Sequence, residues 1–188
     1  MPFDLQRFVE AAGYAGVFAM VFAETGLLIG FMLPGDSLLL TAGLLAARGH
    51  FSLALLLPLL IVASISGYAT GYAIGRHAVS RLFVREDARF FPRRHLLRAR
   101  EFYDRHGGKT IVIARFLPFI RTFVPPIAGA VGMPYLRFTA FNVVGGVGWV
   151  CSMTLLGYWL GERIPPALDL LVLAAVVAVS LLDDVVDE

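Results

Sequence analysis

The chain has 188 residues, of which 58% are hydrophobic and only 16% are charged, and its mean hydropathy is +0.76. Soluble domains are nearer half apolar and a quarter charged, so the composition excludes a soluble protein and predicts one multi-pass membrane domain. The single cysteine, Cys151, excludes an intrachain disulfide, and the four histidines show no ligand spacing. We therefore expect no metal and no other cofactor.

The first apolar run, 11–23, follows Arg7 and has the length of a signal-peptide core. Asp4 and Glu10 oppose the basic start that is typical of such peptides, and no convincing cleavage site follows. We therefore expect the run to belong to the mature protein. The sequence leaves open whether residues 1–12 begin a crossing helix or lie along the membrane interface.

The region 13–47 is apolar but interrupted. Glu24, Pro34–Gly35 and Asp36 leave the pieces 11–23, 25–35 and 37–47, each too short to cross a bilayer alone. Broken backbone at membrane depth must be enclosed by protein or line a wet cavity. The region therefore predicts a re-entrant hairpin that Pro34 and Gly35 help to break.

Residues 49–75 carry no formal charge and are long enough to form the first complete span. Gly67, Gly71 and Gly75 recur in it at four-residue spacing. Small residues on one helix face let two helices approach closely. We interpret these glycines as helix-packing residues.

A basic segment, 76–109, follows the first span. It contains ten basic and four acidic residues, a net charge of +6, which predicts a cytoplasmic location. The helical pattern after Pro92, closed by Gly107–Gly108, predicts an amphipathic helix at the membrane interface. A nucleic-acid partner is not expected, because anionic headgroups beside the flanking spans account for the charge.

The region 110–136 is the second interrupted apolar stretch, broken at Arg115, Pro118, Arg121 and Pro125–Pro126. It predicts a second re-entrant hairpin, with Pro118 and Pro125 as breaking residues. Residues 138–161 then form a clear span and 164–182 a shorter final one. The acidic tail, 183–188, must lie in water.

The two interrupted regions match each other loosely. Glu24 precedes Pro34 by ten positions, and Arg115 precedes Pro125 by ten. A hairpin plus one span makes a single crossing, so a second copy is inserted upside down. The sequence therefore predicts an inverted repeat of 13–75 and 110–161, whose opposed hairpins meet near the midplane, as in many transporters.

The two arginines are the strongest candidates for a substrate site, because charges inside apolar sequence are costly and usually functional. Arg115 and Arg121 are six positions apart with Pro118 between them. A straight helix would place them on different faces, whereas a bent segment would bring both guanidinium groups to one point. Their donor forks suit phosphate oxygens. The alternative is that both side chains snorkel to lipid headgroups.

The two acids are candidates for proton coupling. Burial opposes the ionisation of a carboxylate, so Glu24 or Asp36 could bind and release a proton near neutral pH. For Glu24 the alternatives are a carboxylate at the membrane interface or a structural salt bridge to one of the arginines. For Asp36 the alternative is a helix N-cap after Pro-Gly, and it carries equal weight.

The remaining polar and aromatic residues of the spans have structural interpretations. Asn142 is a lone amide in the second span and predicts an interhelical hydrogen bond. Trp149 and Trp159 are expected to face lipid or the interface. The common metalloprotease, nucleophile-elbow, phosphate-loop and paired-aspartate motifs are absent. We therefore expect that the protein is not an enzyme, although the absence of these motifs excludes only the common classes.

In combination and order, the motifs resemble the DedA family of bacterial inner-membrane proteins, part of the wider VTT superfamily. The likeness covers roughly residues 15–160. Its elements are Glu24, Leu33-Pro34-Gly35-Asp36, Gly67-Tyr68-x-x-Gly71-Tyr72-x-x-Gly75-Arg76, His106-Gly107-Gly108-Lys109, Arg115-Phe116-x-Pro118-x-x-Arg121, Pro125, Ala128-Gly129, Met133, Phe138, Asn142 and Trp149.

The resemblance implies two opposed re-entrant hairpins and three to four transmembrane helices. It also implies that Glu24, Asp36, Arg115 and Arg121 form the functional quartet, and that Gly129 supports the second hairpin. Some members of the family are similar to undecaprenyl-phosphate flippases, others are linked to phosphatidylethanolamine transport, and several depend on the proton-motive force.

The main hypothesis is a lipid flippase of the bacterial inner membrane that moves a phosphate-bearing lipid such as undecaprenyl phosphate, with protons as a possible coupling ion. The alternatives are a phospholipid flippase or scramblase, a proton-coupled carrier of a small ion or osmolyte, and a membrane enzyme acting on lipid phosphate. The sequence names neither the lipid nor the oligomeric state.

Overall fold

The computed structural model describes residues 5–27, 35–79 and 108–163, with the side chains of 13–27, 35–77, 108–117 and 120–163. Every element in these ranges is helical. They are α1 (Leu5–Gly26), α2 (Gly35–Ala47), α3 (Leu53–Ile74), α4 (Lys109–Ala114), α5 (Pro118–Ala130) and α6 (Tyr135–Arg163), with a π-helical turn, Gly75–Val79, continuing α3. The predicted all-α class is thereby confirmed.

Two helices are long and apolar enough to cross a membrane, Leu53–His77 with 25 residues and Tyr135–Arg163 with 29. At ~1.5 Å per residue each exceeds the ~30 Å hydrocarbon core. They correspond to the predicted spans 49–75 and 138–161. The predicted final span, the acidic tail and residues 80–107 of the basic segment lie outside the described residues.

The first interrupted region differs from its prediction in one respect. Helix α1 continues through Glu24 to Gly26, so the predicted break at Glu24 is wrong, and residues 5–12 belong to the same helix. Glutamate is a good helix former, and the Glu24 carboxylate forms a buried ion pair with Arg121. Helix α2 starts at Gly35 with Asp36 in its first turn, where a carboxylate suits the helix dipole. Pro34 lies outside the described residues, and the re-entrant path there stays a prediction.

The second interrupted region breaks at fewer places than predicted. Helix α4 ends before Arg115, and Pro118 opens α5, where the fixed φ of proline fits a first turn. Pro125 and Pro126, however, lie inside α5 and do not break it. The fixed φ of proline is compatible with a helix, although each ring removes one backbone donor and crowds the carbonyl four residues earlier.

Arg121 and Gly129 also lie within α5. The predicted break at Arg121 is therefore wrong, and Gly129 does not interrupt the helix. The turn after α5 instead contains Gly132, whose φ of +75° is in the left-handed region. Glycine adopts that region without a steric penalty. Gly129 contributes to packing, because a Cβ there would overlap the Tyr72 carbonyl oxygen of α3.

The described residues form two compact units. The first contains 5–21, 35–63 and 150–163, and the second contains 22–27, 64–79 and 108–149. In the first unit α2 and the end of α6 pack backbone to backbone, since a Cβ on Gly43 would overlap the Thr154 carbonyl and one on Gly157 the Leu40 carbonyl. Asp36 belongs to this unit.

The second unit is built around aromatic rings and close helix contacts. Tyr68 and Tyr72 of α3 are buried with Phe138 of α6 in one hydrophobic core. The predicted packing glycines lie at two contacts of α3. A Cβ on Gly67 would meet the end of α1, whereas Cβ atoms on Gly71 and Gly75 would meet the two internal prolines of α5.

Replacing Gly75 by alanine is expected to lower the free energy of unfolding by about 1–3 kcal/mol, as overpacking does elsewhere. The new Cβ would overlap backbone atoms of Pro126, which cannot rotate away. Gly148→Ala in α6 is the matched control, because nothing lies within 4 Å of a Cβ there. Alanine should stabilise that position by up to ~1 kcal/mol. Equal destabilisation of both variants in denaturant titrations would contradict this packing.

Candidate functional site

Arg115 sits at the point where the chain turns between α4 and α5. Its backbone N–H bonds to the Val112 carbonyl at 3.3 Å, so the helix tightens in its last turn before Pro118 starts a new one. Although the side chain is charged, the residue is only 1% exposed. The turn therefore places a guanidinium group inside the second unit.

The guanidinium group of Arg115 is held by neutral acceptors on two helices. Nη1 donates to the Ser64 hydroxyl of α3, and Nη2 donates to the Asn142 carbonyl oxygen of α6 at 2.5 Å and, at 3.4 Å, to the Ser64 backbone carbonyl. The amide nitrogen of Asn142 in turn donates to the Ile65 carbonyl at 3.0 Å. This last bond fixes which end of the amide faces Arg115.

An aromatic ring and two glycines pack against the same guanidinium group. The Cζ atom of Arg115 lies 3.8 Å from the centroid of the Tyr68 ring, which is a cation–π arrangement. Near the side chain are Gly145 and Gly146, where a Cβ would lie 3.0 Å from Cδ and 3.4 Å from Cζ of Arg115, respectively. These two glycines therefore leave room for the arginine beside α6.

Arg121 forms the second charged element of the site, as a buried ion pair. Its Nη2 lies 2.5 Å from Oε1 of Glu24 at the end of α1, and the two side chains are 10% and 3% exposed. Its guanidinium carbon is 4.9 Å from the centroid of the Trp149 ring. The structural salt bridge that was the alternative interpretation of Glu24 is therefore present. Trp149 is only 1% exposed, so the prediction that it faces lipid or the interface is wrong.

The two arginines of the site differ in their charged partners among the described residues. Arg115, Arg121 and Glu24 all lie close enough to Tyr68 to interact with it electrostatically, and the two arginines interact with each other. Glu24 pairs with Arg121, whereas in the part of the chain that the structure describes no carboxylate forms an ion pair with Arg115. Within the described residues, the surroundings of Arg115 therefore suit an anion.

The chain matches the model of the VTT domain over residues 33–159. It is 40% identical over 178 residues to Protein DedA of Escherichia coli K12, covering 93% of this chain and 81% of that protein. The chain belongs to the DedA family. It is also 38% identical over 149 residues to the inner membrane protein YqjA of E. coli K12, covering 79% of this chain and 68% of that one.

The chain is also similar to mycobacterial proteins that are named as membrane proteins. One uncharacterized membrane protein of Mycobacterium tuberculosis H37Rv is 42% identical over 172 residues, covering 89% of this chain and 74% of that protein. No solved structure matches the chain significantly. The names agree with the two membrane-length helices, so this member of the family is a membrane protein.

Three of the four predicted quartet residues meet in the second unit. Arg115, Arg121 and Glu24 all interact electrostatically with Tyr68, whereas Asp36 lies half-buried in the first unit and its role stays a prediction. Two guanidinium groups repel metal ions. In the described ranges no three His, Cys, Asp or Glu side chains are grouped to hold one.

Sequence reasoning missed Ser64 and Tyr68 as neighbours of Arg115. A signal was present, because the two residues are four apart in α3 and therefore share a helix face. Ser64 is also a polar residue in a span without charges. Asn142 does form the interhelical hydrogen bonds expected of it, and one of them binds the arginine.

Proposed function

We propose that the protein is a membrane transporter, not an enzyme, that moves a phosphate-bearing lipid such as undecaprenyl phosphate across the bacterial inner membrane. The observation that carries the proposal is the buried Arg115, whose charge is held by neutral groups alone among the residues that the structure describes. Burying a cation without a counter-charge is strongly unfavourable. A substrate anion would supply that counter-charge and so stabilise the buried guanidinium group.

The orientation of Arg115 supports a headgroup with several oxygens. Ser64 and Asn142 occupy three of its donor hydrogens, so the planar fork is fixed before a substrate arrives. Its Nε is buried and has no hydrogen-bond partner among the described residues. A preorganised guanidinium with spare donors suits phosphate.

The surface beside the arginines supports a lipid rather than a soluble ion. Five large apolar side chains of the α4–α5 segment are between 44% and 63% exposed: Ile113, Phe116, Leu117, Ile120 and Phe123. In a membrane such a surface can lie against acyl or prenyl chains. A lipid could therefore keep its tail in the bilayer while its headgroup reaches Arg115.

The ion pair between Glu24 and Arg121 provides a place for proton coupling. Protonation of Glu24 would neutralise the carboxylate and leave Arg121 able to bind a second oxygen of the headgroup. Loss of that proton would let the Glu24 carboxylate compete again with the headgroup for Arg121 and so release the lipid. Asp36 is proposed as a second proton-binding group on the strength of its sequence context alone.

The test is transport by purified protein in liposomes, using a polyprenyl phosphate with a fluorophore that dithionite can reduce in the outer leaflet. Asn142→Asp would place a carboxylate beside Arg115 and lose only the donor to the Ile65 carbonyl, whereas Asn142→Leu removes both the acceptor and the donor without adding charge. We expect the aspartate variant to transport about tenfold more slowly than the leucine variant, which corresponds to ~1.4 kcal/mol. Equal rates for the two variants would contradict an anion site at Arg115.

The same liposomes distinguish the alternatives. Movement of labelled phosphatidylethanolamine instead of polyprenyl phosphate would indicate a phospholipid flippase or scramblase. Solute flux without lipid movement would indicate a carrier of a small ion, and release of inorganic phosphate from a lipid would indicate an enzyme. Any of these results, without polyprenyl phosphate transfer, would overturn the proposal.

A further inference from the structure

Two buried donors on side chains that stack on each other have no hydrogen-bond partner within the described residues: the Tyr68 hydroxyl and Nε of Arg115. Both residues are 1% exposed, so solvent does not satisfy these groups. Buried polar groups are nearly always hydrogen-bonded, and leaving one unpaired is costly. Two such groups in one place indicate an acceptor that binds there.

The next tyrosine along α3 provides a contrast. Tyr72 is also buried, but its hydroxyl donates to the Met133 carbonyl at 2.5 Å and accepts a bond from Nη1 of Arg76 at 2.9 Å. Both rings stack on Phe138, with centroids 6.5 Å and 4.5 Å away. The apolar packing of the two tyrosines is therefore similar, and only the hydroxyl of Tyr68 lacks a structural role.

Packing against Arg115 does not require that hydroxyl. The guanidinium carbon stacks over the ring, 3.8 Å from its centroid, and a phenylalanine ring would provide a similar face. A phenylalanine would also avoid burying an unpaired O–H group. The hydroxyl is better explained by a ligand than by the packing of the free protein.

We propose that Tyr68 is a headgroup-binding residue, whose hydroxyl donates a hydrogen bond to a phosphate oxygen that also binds Arg115. This inference rests on the proposed function, because it assumes a phosphate anion at Arg115. A neutral donor beside a guanidinium adds hydrogen bonding without further charge. The shared chemistry is the phosphate oxyanion, whether it belongs to a lipid or is free.

The test compares Tyr68→Phe with Tyr72→Phe in the full-length protein purified in detergent. Undecaprenyl phosphate, phosphatidic acid and inorganic phosphate are the probes, and binding constants and unfolding midpoints are measured for each. Tyr68→Phe should weaken binding of phosphate probes about tenfold, as loss of a hydrogen bond to a charged group does. Without ligand its unfolding midpoint should be unchanged or higher, because the unpaired hydroxyl is gone.

Tyr72→Phe should show the reverse pattern, a lower midpoint with unchanged binding, because its hydroxyl is satisfied within the protein. Weaker binding of both lipids but not of inorganic phosphate by Tyr68→Phe would identify the ligand as a lipid headgroup. Equal effects on all three probes would identify phosphate itself as sufficient. Both results support the role of the hydroxyl.

Wild-type affinity in a well-folded Tyr68→Phe variant would overturn this inference and leave the proposed function standing. Failure of the wild-type protein to bind any of the phosphate probes would overturn both. A lower midpoint for Tyr68→Phe without ligand would also contradict the inference, since it would give the hydroxyl a structural role in the free protein.

Discussion

Arg115→Lys is expected to reduce lipid transfer at least ~100-fold while keeping the positive charge. The guanidinium group reaches Ser64 on α3 and Asn142 on α6 at the same time and stacks on Tyr68. A lysine ammonium is a point charge without a planar fork and cannot reproduce these three contacts. An ammonium that is not oriented in this way would lose hydrogen bonds to the phosphate, and loss of two such charge-assisted bonds, each ~1.5–3 kcal/mol, accounts for that factor.

The matched control is Arg137→Lys, because Arg137 is an exposed arginine of α6 outside the site. It should transport at the wild-type rate in the same dithionite assay. Both variants should be monodisperse by size-exclusion chromatography, which separates loss of function from loss of fold. Transport by Arg115→Lys above about a tenth of the wild-type rate would show that charge alone is sufficient and that the fork is not needed.

Breaking the Glu24–Arg121 pair should have the largest effect on stability. Removal of one member of a buried ion pair costs about 3–5 kcal/mol, because the other charge stays buried. We therefore expect Glu24→Met and Arg121→Met each to lower the free energy of unfolding by that amount. The double variant should recover most of the loss, since two well-packed apolar side chains often replace such a pair at little cost.

The double-mutant cycle is measured by denaturant titration in detergent and by transport. Additive losses in the two single variants would mean that the pair contributes no coupling energy. The double variant should be stable yet inactive, because it lacks both the proposed proton-binding carboxylate and the proposed second headgroup arginine. Wild-type transport by a stable double variant would remove the pair from the mechanism.

Much of the helical architecture was predictable, because it depends on local properties of the sequence. The spans at 49–75 and 138–161 follow from uninterrupted apolar runs of sufficient length. The turn between α4 and α5 follows from Pro118, which cannot donate a backbone hydrogen bond. The predicted breaks at Glu24 and at Pro125–Pro126 are wrong, because these residues can stay within a helix when it packs against neighbouring helices.

The candidate site was only partly predictable. The apolar context of Arg115, Arg121 and Glu24 identified them, because charge in such sequence is rarely accidental. Their pairing was not predictable, since Glu24 and Arg121 are 97 positions apart and either arginine was an equal partner for the acid. Nor did the sequence reveal that Tyr68 lies under Arg115, because the shared helix face of Ser64 and Tyr68 does not show which residue packs against it.

The sequence by itself determined that this is a helical membrane protein of the DedA family with charged residues in interrupted apolar segments, because composition and run length decide how a chain partitions into a bilayer. Only the tertiary structure decided that Glu24 neutralises Arg121 and not Arg115. That choice depends on which side chains the packed helices bring within hydrogen-bonding distance, and among the described residues it leaves Arg115 with neutral partners.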